Sequence, residues 1–192
     1  IYGWTGGADK ILRDGEFPGV IGGTAKVDAA RNEKEGLQLA LFSGDDQRKV
    51  SVQIGGFKSD NGTAFPAENI TAAPIGYVTP TAPAYWSEYI TYKMPDPLLN
   101  YLHEFDVEKE KFQPVWVDFS LPKDQAPGIY KGKIDFSSDG NTLVSIPVEL
   151  TVHKFELPDR MTFQAVVSSG EFYHGLYEQS GKVREEFNQF MF

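Results

Sequence analysis

No cysteine occurs in the 192 residues, so a disulfide framework, a thiolate metal site and a cysteine nucleophile are all excluded. The absence leaves the redox compartment open. Only three histidines are present, at 103, 153 and 174, and no two are four residues apart, the spacing that would set a pair of metal ligands on one helix face. No metal and no cofactor is expected. Cations are the scarcer charge: 18 Lys and Arg against 27 Asp and Glu leave a net charge of -9. Nucleic acid is excluded as a partner, because its binding relies on a concentrated basic face that releases counterions. No apolar run nears the roughly 20 residues that span a bilayer, and no signal-like apolar segment opens the chain. A chain beginning at Ile1 reads as a processed or recombinant piece, from which an export signal could have been removed.

What is present is enough apolar and aromatic matter, 41% and 14%, to bury a core. The clearest pattern runs from Pro114 to Pro158. Val115, Val117, Phe119 and Leu121 share one face; Tyr130, Gly132, Ile134 and Phe136 share the next; Val144, Ile146, Val148, Leu150 and Val152 continue the series. Asp118, Lys131, Lys133, Asp135, Glu149 and Thr151 point the other way, which predicts a sheet buried on one face. Pro127-Gly128 has the chemistry of a type II turn, and Asp139-Gly140 that of a primed two-residue hairpin turn.

Upstream, the first 24 residues hold seven glycines and show no period, so they read as an extended lead-in segment. Short alternating runs follow at Ala25–Ala29, Leu37–Leu41 and Val50–Ile54, with weaker strands at 68–73, 75–79 and 89–92. About eight strands at such intervals predict a mainly β fold: a two-sheet antiparallel β-sandwich of immunoglobulin-like or Greek-key type over residues 1–157. Residues 79–110 interrupt the rhythm with four prolines and a cluster of aromatics, and read as a long loop or packing arm. Beyond Pro158, an apolar run at 162–167, a break at 168–170 and helical spacing over 182–192 predict a linker and one strand–helix unit across 158–192.

Four stretches carry a resemblance. Ala30–Gln38 is similar to an Arg-Asn-Glu-x-Glu-x-x-Gln stretch, Met94–Leu98 to a Pro-Asp-Pro-Leu loop, Pro114–Gly132 to a strand and Pro-x-Gly-x-Tyr-x-Gly turn, and Val148–Pro158 to a closing strand and linker. All four, in this order, resemble the N-terminal β-sandwich of glycoside hydrolase family 123. The resemblance implies a following (β/α)-barrel, of which 158–192 would be the first strand and helix, that removes β-linked N-acetylgalactosamine with an adjacent Asp-Glu pair and the substrate's own acetamido oxygen. No Asp-Glu dipeptide occurs in these 192 residues, so no catalytic residue is carried over and the chain alone is expected to be inactive.

The remaining candidates are binding or structural. Tyr85, Trp86, Tyr89 and Tyr92, with Tyr101 nearby, could stack on the apolar face of a sugar or anchor the arm against a neighbouring domain. Asp96, between two prolines, could meet a ligand or cap a helix, and capping is preferred. Arg31, Asn32, Glu33 and Glu35 are read as structural, with Arg31 pairing with Glu33 or Glu35 and Asn32 shaping a turn; Pro127 and Gly128 are structural too. Asp45-Asp46 and Asp139-Gly140-Asn141 are read as solvated turns, not calcium loops, and the sequons at Asn61 and Asn69 as turn chemistry. The expectation is a non-catalytic accessory N-terminal domain of a glycoside hydrolase, partnered by its own catalytic domain and by glycan, extracellular or periplasmic. An autonomous carbohydrate-binding module and an adhesion or assembly sandwich are the alternatives.

Overall fold

A computed structural model describes residues 1–79 and 93–160. Its strands, in chain order, are β1 (Tyr2–Gly6), β2 (Val20–Ile21), β3 (Ala25–Arg31), β4 (Lys34–Phe42), β5 (Gln47–Ile54), β6 (Phe57–Ser59) and β7 (Ala64–Phe65). They continue with β8 (Ile70–Val78), β9 (Met94–Leu98), β10 (Phe105–Val107), β11 (Phe112–Ser120), β12 (Gly128–Ser138) and β13 (Asn141–Glu156). One short 3-10 turn, Ala67–Asn69, precedes β8. The first sheet has the order β2-β1-β4-β11-β8-β9 and the second β10-β5-β12-β13-β3, with β6 and β7 attached to β12. Residues Ile1–Leu157 form one unit. The strand–helix pattern expected at the C-terminus falls almost wholly in 161–192, outside the described residues.

The alternation that predicted one buried face holds in β11, β12 and β13: Val115, Val117, Phe119, Tyr130, Ile134, Phe136, Ile146, Val148 and Leu150 are all buried between the sheets. Phe57 packs edge-on to Phe119 at 5.8 Å, and Phe65 to Tyr130 at 6.2 Å. A Cβ on Gly132 would lie 2.5 Å from the Phe57 ring, so glycine here makes room for a core aromatic. Tyr130 is fully buried, and its hydroxyl donates to the Ala126 carbonyl at 2.6 Å while accepting from Gln125 Nε2 at 2.8 Å. That bond back to an upstream carbonyl is the tyrosine corner that sandwich folds use.

Several expectations are corrected. The lead-in is not strandless: β1 pairs with β4 from Tyr2↔Leu41 to Gly6↔Leu37, and β2 pairs with β1. Glycines masked a strand whose Tyr2 and Trp4 pack on the core. The chain then crosses the outer face of the first sheet, where Ile11 is fully buried, Tyr77 Oη donates to the Ile11 carbonyl, and Gln38 Nε2 donates to the carbonyls of Gly7 and Asp9. For this reason β4 is buried on both faces, Gln38 and Ala40 included, and not on one. The pairing is antiparallel throughout except β13 with β3, which run parallel from Val148↔Ala25.

Residues 70–78 form one strand through Pro74, not two, and Met94–Leu98 is an edge strand, not a loop. Prolines are tolerated there because an edge residue need not donate to a ladder. Gly128 opens β12 at φ 154, far from the roughly +80° of a type II turn. The chain instead turns at Pro122–Gln125, where the Gln125 N–H meets the Pro122 carbonyl. Asp139 and Gly140 take φ 47 and 78 between the paired Ser138 and Asn141, as a primed hairpin turn requires. At the sequon, Asn61 Oδ1 accepts from Ser59 Oγ and the Thr63 N–H and closes a tight turn.

Candidate functional site

Because β11 sends Val115, Val117 and Phe119 into the core, the intervening Trp116 and Asp118 stand on the outer face of the first sheet. Trp116 is in register with Gln38 of β4 and Ala73 of β8. Its ring lies against Gly36, where a Cβ would come within 2.5 Å of the indole. The indole Nε1 donates to Asp118 Oδ1 at 2.8 Å, and the other carboxylate oxygen pairs with Lys34 Nζ at 3.0 Å. Trp, Asp and Lys thus form a connected row at the surface.

A cavity of about 640 Å³ opens beside this row and wraps the edge of β8. Its outer side carries Lys34, Trp116, Asp118, Asn100 and His103; its inner side carries Val52, Ile54 and Phe105 between the sheets. The cause is local. Strand β9 pairs with β8 only from Ile75 onward, so Ile70–Ala73 has no neighbour on that edge among the described residues, and its small side chains leave space. A second depression of about 210 Å³ lies across Trp116, lined by Asp9, Lys10, Gln38, Asp96 and Leu98.

Asp96 therefore sits in β9, exposed, at the border of a depression that Trp116 also lines. Among the described residues there is no α-helix beside it to cap. Tyr85, Trp86, Tyr89 and Tyr92 lie outside the described residues, and Tyr101 is exposed after β9. Trp116 and Asp118 were absent from the sequence-predicted binding set. The available signal was a tryptophan out of phase with a buried alternation, on a strand face that composition marks as polar.

The Arg31–Glu35 cluster is at the β3–β4 turn. Asn32 adopts φ 60, and its Nδ2 donates to the Leu157 carbonyl. Glu33 Oε2 accepts from the Ala30 N–H at 2.6 Å, and Glu35 Oε1 accepts from the Gly36 N–H. Arg31 pairs with Glu156 at 3.6 Å and donates to the Lys123 carbonyl, in place of the expected Glu33 or Glu35. Among the described residues no three His, Asp or Glu side chains gather as a metal would need. None of the described helices is long and apolar enough to cross a membrane.

Electrostatics point the same way. Hydrogen bonds from Arg48 and from the Lys49 N–H hold the Asp106 carboxyl below its ordinary range, and Asp106 in turn raises Arg48. The Lys133 ammonium lowers Asp135. Burial pushes the Tyr77 phenol up, opposed by the Arg13 guanidinium 4.8 Å above its ring. Among the described residues, Asp106 and Asp135 are the carboxyls that shift, both toward the ionised form.

A filled two-sheet sandwich, with ion-paired surface clusters and an aromatic-lined cavity at a sheet edge, defines a β-sandwich module. The model of the glycoside hydrolase 123 N-terminal domain matches residues 21–138, and the chain belongs to that family. Its fold is similar to part of a family 123 glycoside hydrolase from Clostridium perfringens, at TM-score 0.64 and 18% identity over 82% of this chain. The likeness spans 28% of that enzyme's chain. A PapD-like domain of human CEP192 matches at TM-score 0.35 and 13% identity, over 69% of this chain and 84% of its own. No curated protein sequence matches.

Proposed function

We propose that this sandwich is the non-catalytic accessory domain of a glycoside hydrolase acting on β-linked N-acetylgalactosamine, and that it supports the catalytic domain of the same polypeptide. One observation carries the reading: a family 123 N-terminal domain occupies residues 21–138 of a chain in which no Asp-Glu dipeptide occurs. Retaining hydrolysis needs one carboxyl kept as an acid beside a second group that stabilises the developing cation. Asp106 and Asp135 are instead held ionised by cations, which supports a structural role for them. The Clostridium perfringens relative is described as hydrolysing glycolipid glycans, and a substrate of that kind supports an extracellular or periplasmic parent.

The test has two parts. The purified 192-residue chain is expected to leave a chromogenic β-N-acetylgalactosaminide intact, whereas the parent enzyme cleaves it. Deleting residues 1–157 from the parent is expected to lower its melting temperature and soluble yield. Turnover by the 192-residue chain that disappears on mutation of one carboxylate overturns the proposal, as does a parent whose stability and activity survive the deletion unchanged.

A further inference from the structure

We propose that the cavity beside Trp116 is a carbohydrate subsite that takes an uncharged hexose or N-acetylhexosamine. This goes beyond a purely supporting role and rests on side chains that the family match does not assign. The Trp116 ring is set on two sides, by Gly36 against it and by the Nε1 bond to Asp118, so the platform exists before a ligand arrives. An aromatic face fixed in this way suits the C–H face of a pyranose.

Hydrogen-bonding capacity is left over at the ring's border. An ionised carboxylate has about four acceptor positions. Asp118 spends one on the Trp116 indole and one on Lys34. The Lys34 ammonium, with about three donors, has one ion-pair partner among the described residues. Asn100 and His103 add donors and acceptors from the wall of the same cavity. Sugar hydroxyls both donate and accept, so they fit the unused positions.

Charge selects among polar ligands. Lys34 and Asp118 neutralise each other 3.0 Å apart, so the row attracts neither a phosphate nor an ammonium strongly. A wholly apolar ligand would strip water from that pair without replacing its hydrogen bonds, at a cost in affinity. The volume of about 640 Å³ lies within the range of small-molecule sites, roughly 300–1,000 Å³. The competing occupant is an extended peptide laid along Ile70–Ala73 of β8, an edge with no neighbour among the described residues. Pro74 turns its carbonyl outward to the Leu99 N–H, and alternation turns the Ala72 backbone groups outward as well. The polar row beside an aromatic plane favours the sugar.

The experiment uses the 192-residue chain and the methyl β-glycosides of N-acetylgalactosamine, galactose and glucose, with galacturonate as the charged comparison. Saturation-transfer NMR and calorimetric titration are the readouts. At least one neutral glycoside is expected to bind, with affinity reduced about tenfold or more by Trp116→Ala, as for other stacked rings. Trp116→Phe, which keeps a ring plane, and Asp118→Asn should each lose less; Phe155→Ala, on the other sheet, should change nothing. Circular dichroism checks each fold, and Trp116→Phe with Asp118→Asn decides the matter if Trp116→Ala unfolds. No transfer from any neutral sugar overturns the proposal. So does binding that survives all three cavity variants, binding lost only on Trp86→Ala, tighter binding of galacturonate, or displacement of no sugar but capture of an extended peptide. Each is distinct from failure of the supporting role, which is read from the parent enzyme's stability and not from sugar binding.

Discussion

Replacing Tyr130 by Phe removes one oxygen from the turn that leads into β12 and leaves the buried ring volume in place. Two hydrogen bonds go with it: the 2.6 Å donation to the Ala126 carbonyl and the 2.8 Å acceptance from Gln125. Their losses are unequal. Ala126 is exposed, so water can satisfy its carbonyl, whereas Gln125 is buried and keeps only its 3.2 Å bond to the Ala64 carbonyl. One net hydrogen bond plus one partly unsatisfied buried N–H comes to about 1–2 kcal/mol. At about 2–4 °C per kcal/mol for a domain of this size, the melting temperature should fall by about 2–8 °C. Urea denaturation of wild type, Tyr130→Phe, Gln125→Ala and the double variant measures the loss and the coupling between the two side chains, expected at about 0.5 kcal/mol or more. A Tyr130→Phe loss below about 0.3 kcal/mol, or full additivity in the cycle, refutes the view that this hydroxyl anchors the turn before β12.

Gly132→Ala drives a methyl to within 2.5 Å of the fully buried Phe57 ring, so denaturation should show a loss of about 1–3 kcal/mol, partly recovered by adding Phe57→Leu. Asp135 contributes stability in its ionised form, since Lys133 lowers its folded pKa below the ordinary 3.8; that contribution is present above the unfolded value and is lost as pH falls through the folded one. Stability profiles of Asp135→Asn and wild type should therefore stand a steady distance apart above about pH 4 and converge as pH falls below it. Profiles that keep the same distance on both sides of that pH would show that ionisation of Asp135 is not the source.

The parts of the fold legible in the sequence are those governed by neighbours along the chain. Period-two alternation in Val115–Leu121, Tyr130–Phe136 and Val144–Val152 follows from the pleat, and the Asp139-Gly140 turn from the φ values those two residues tolerate. The illegible parts depend on what lies across from each strand. Tyr2–Gly6 looked featureless because its order comes from β4, and Gln38 looked solvent-facing because nothing local announces that Gly7 and Asp9 will cover it. The prolines of Met94–Leu98 argued for a loop until an edge position made their missing N–H harmless.

The candidate site divides in the same way. Aromatic density drew the sequence reading to Tyr85–Tyr92, whereas the described cavity is lined by Trp116, which lies against Gly36, and by Lys34 and Asn100, all from distant stretches. By itself the sequence determined a β-sandwich and, through four ordered stretches, its family, because backbone sterics and side-chain alternation act locally. Only the tertiary structure decided which faces are covered, that β3 runs parallel to β13, and that a tryptophan, a carboxylate and an ammonium meet beside the edge of β8. Those outcomes depend on pairing register between remote segments, which packing of the whole core selects.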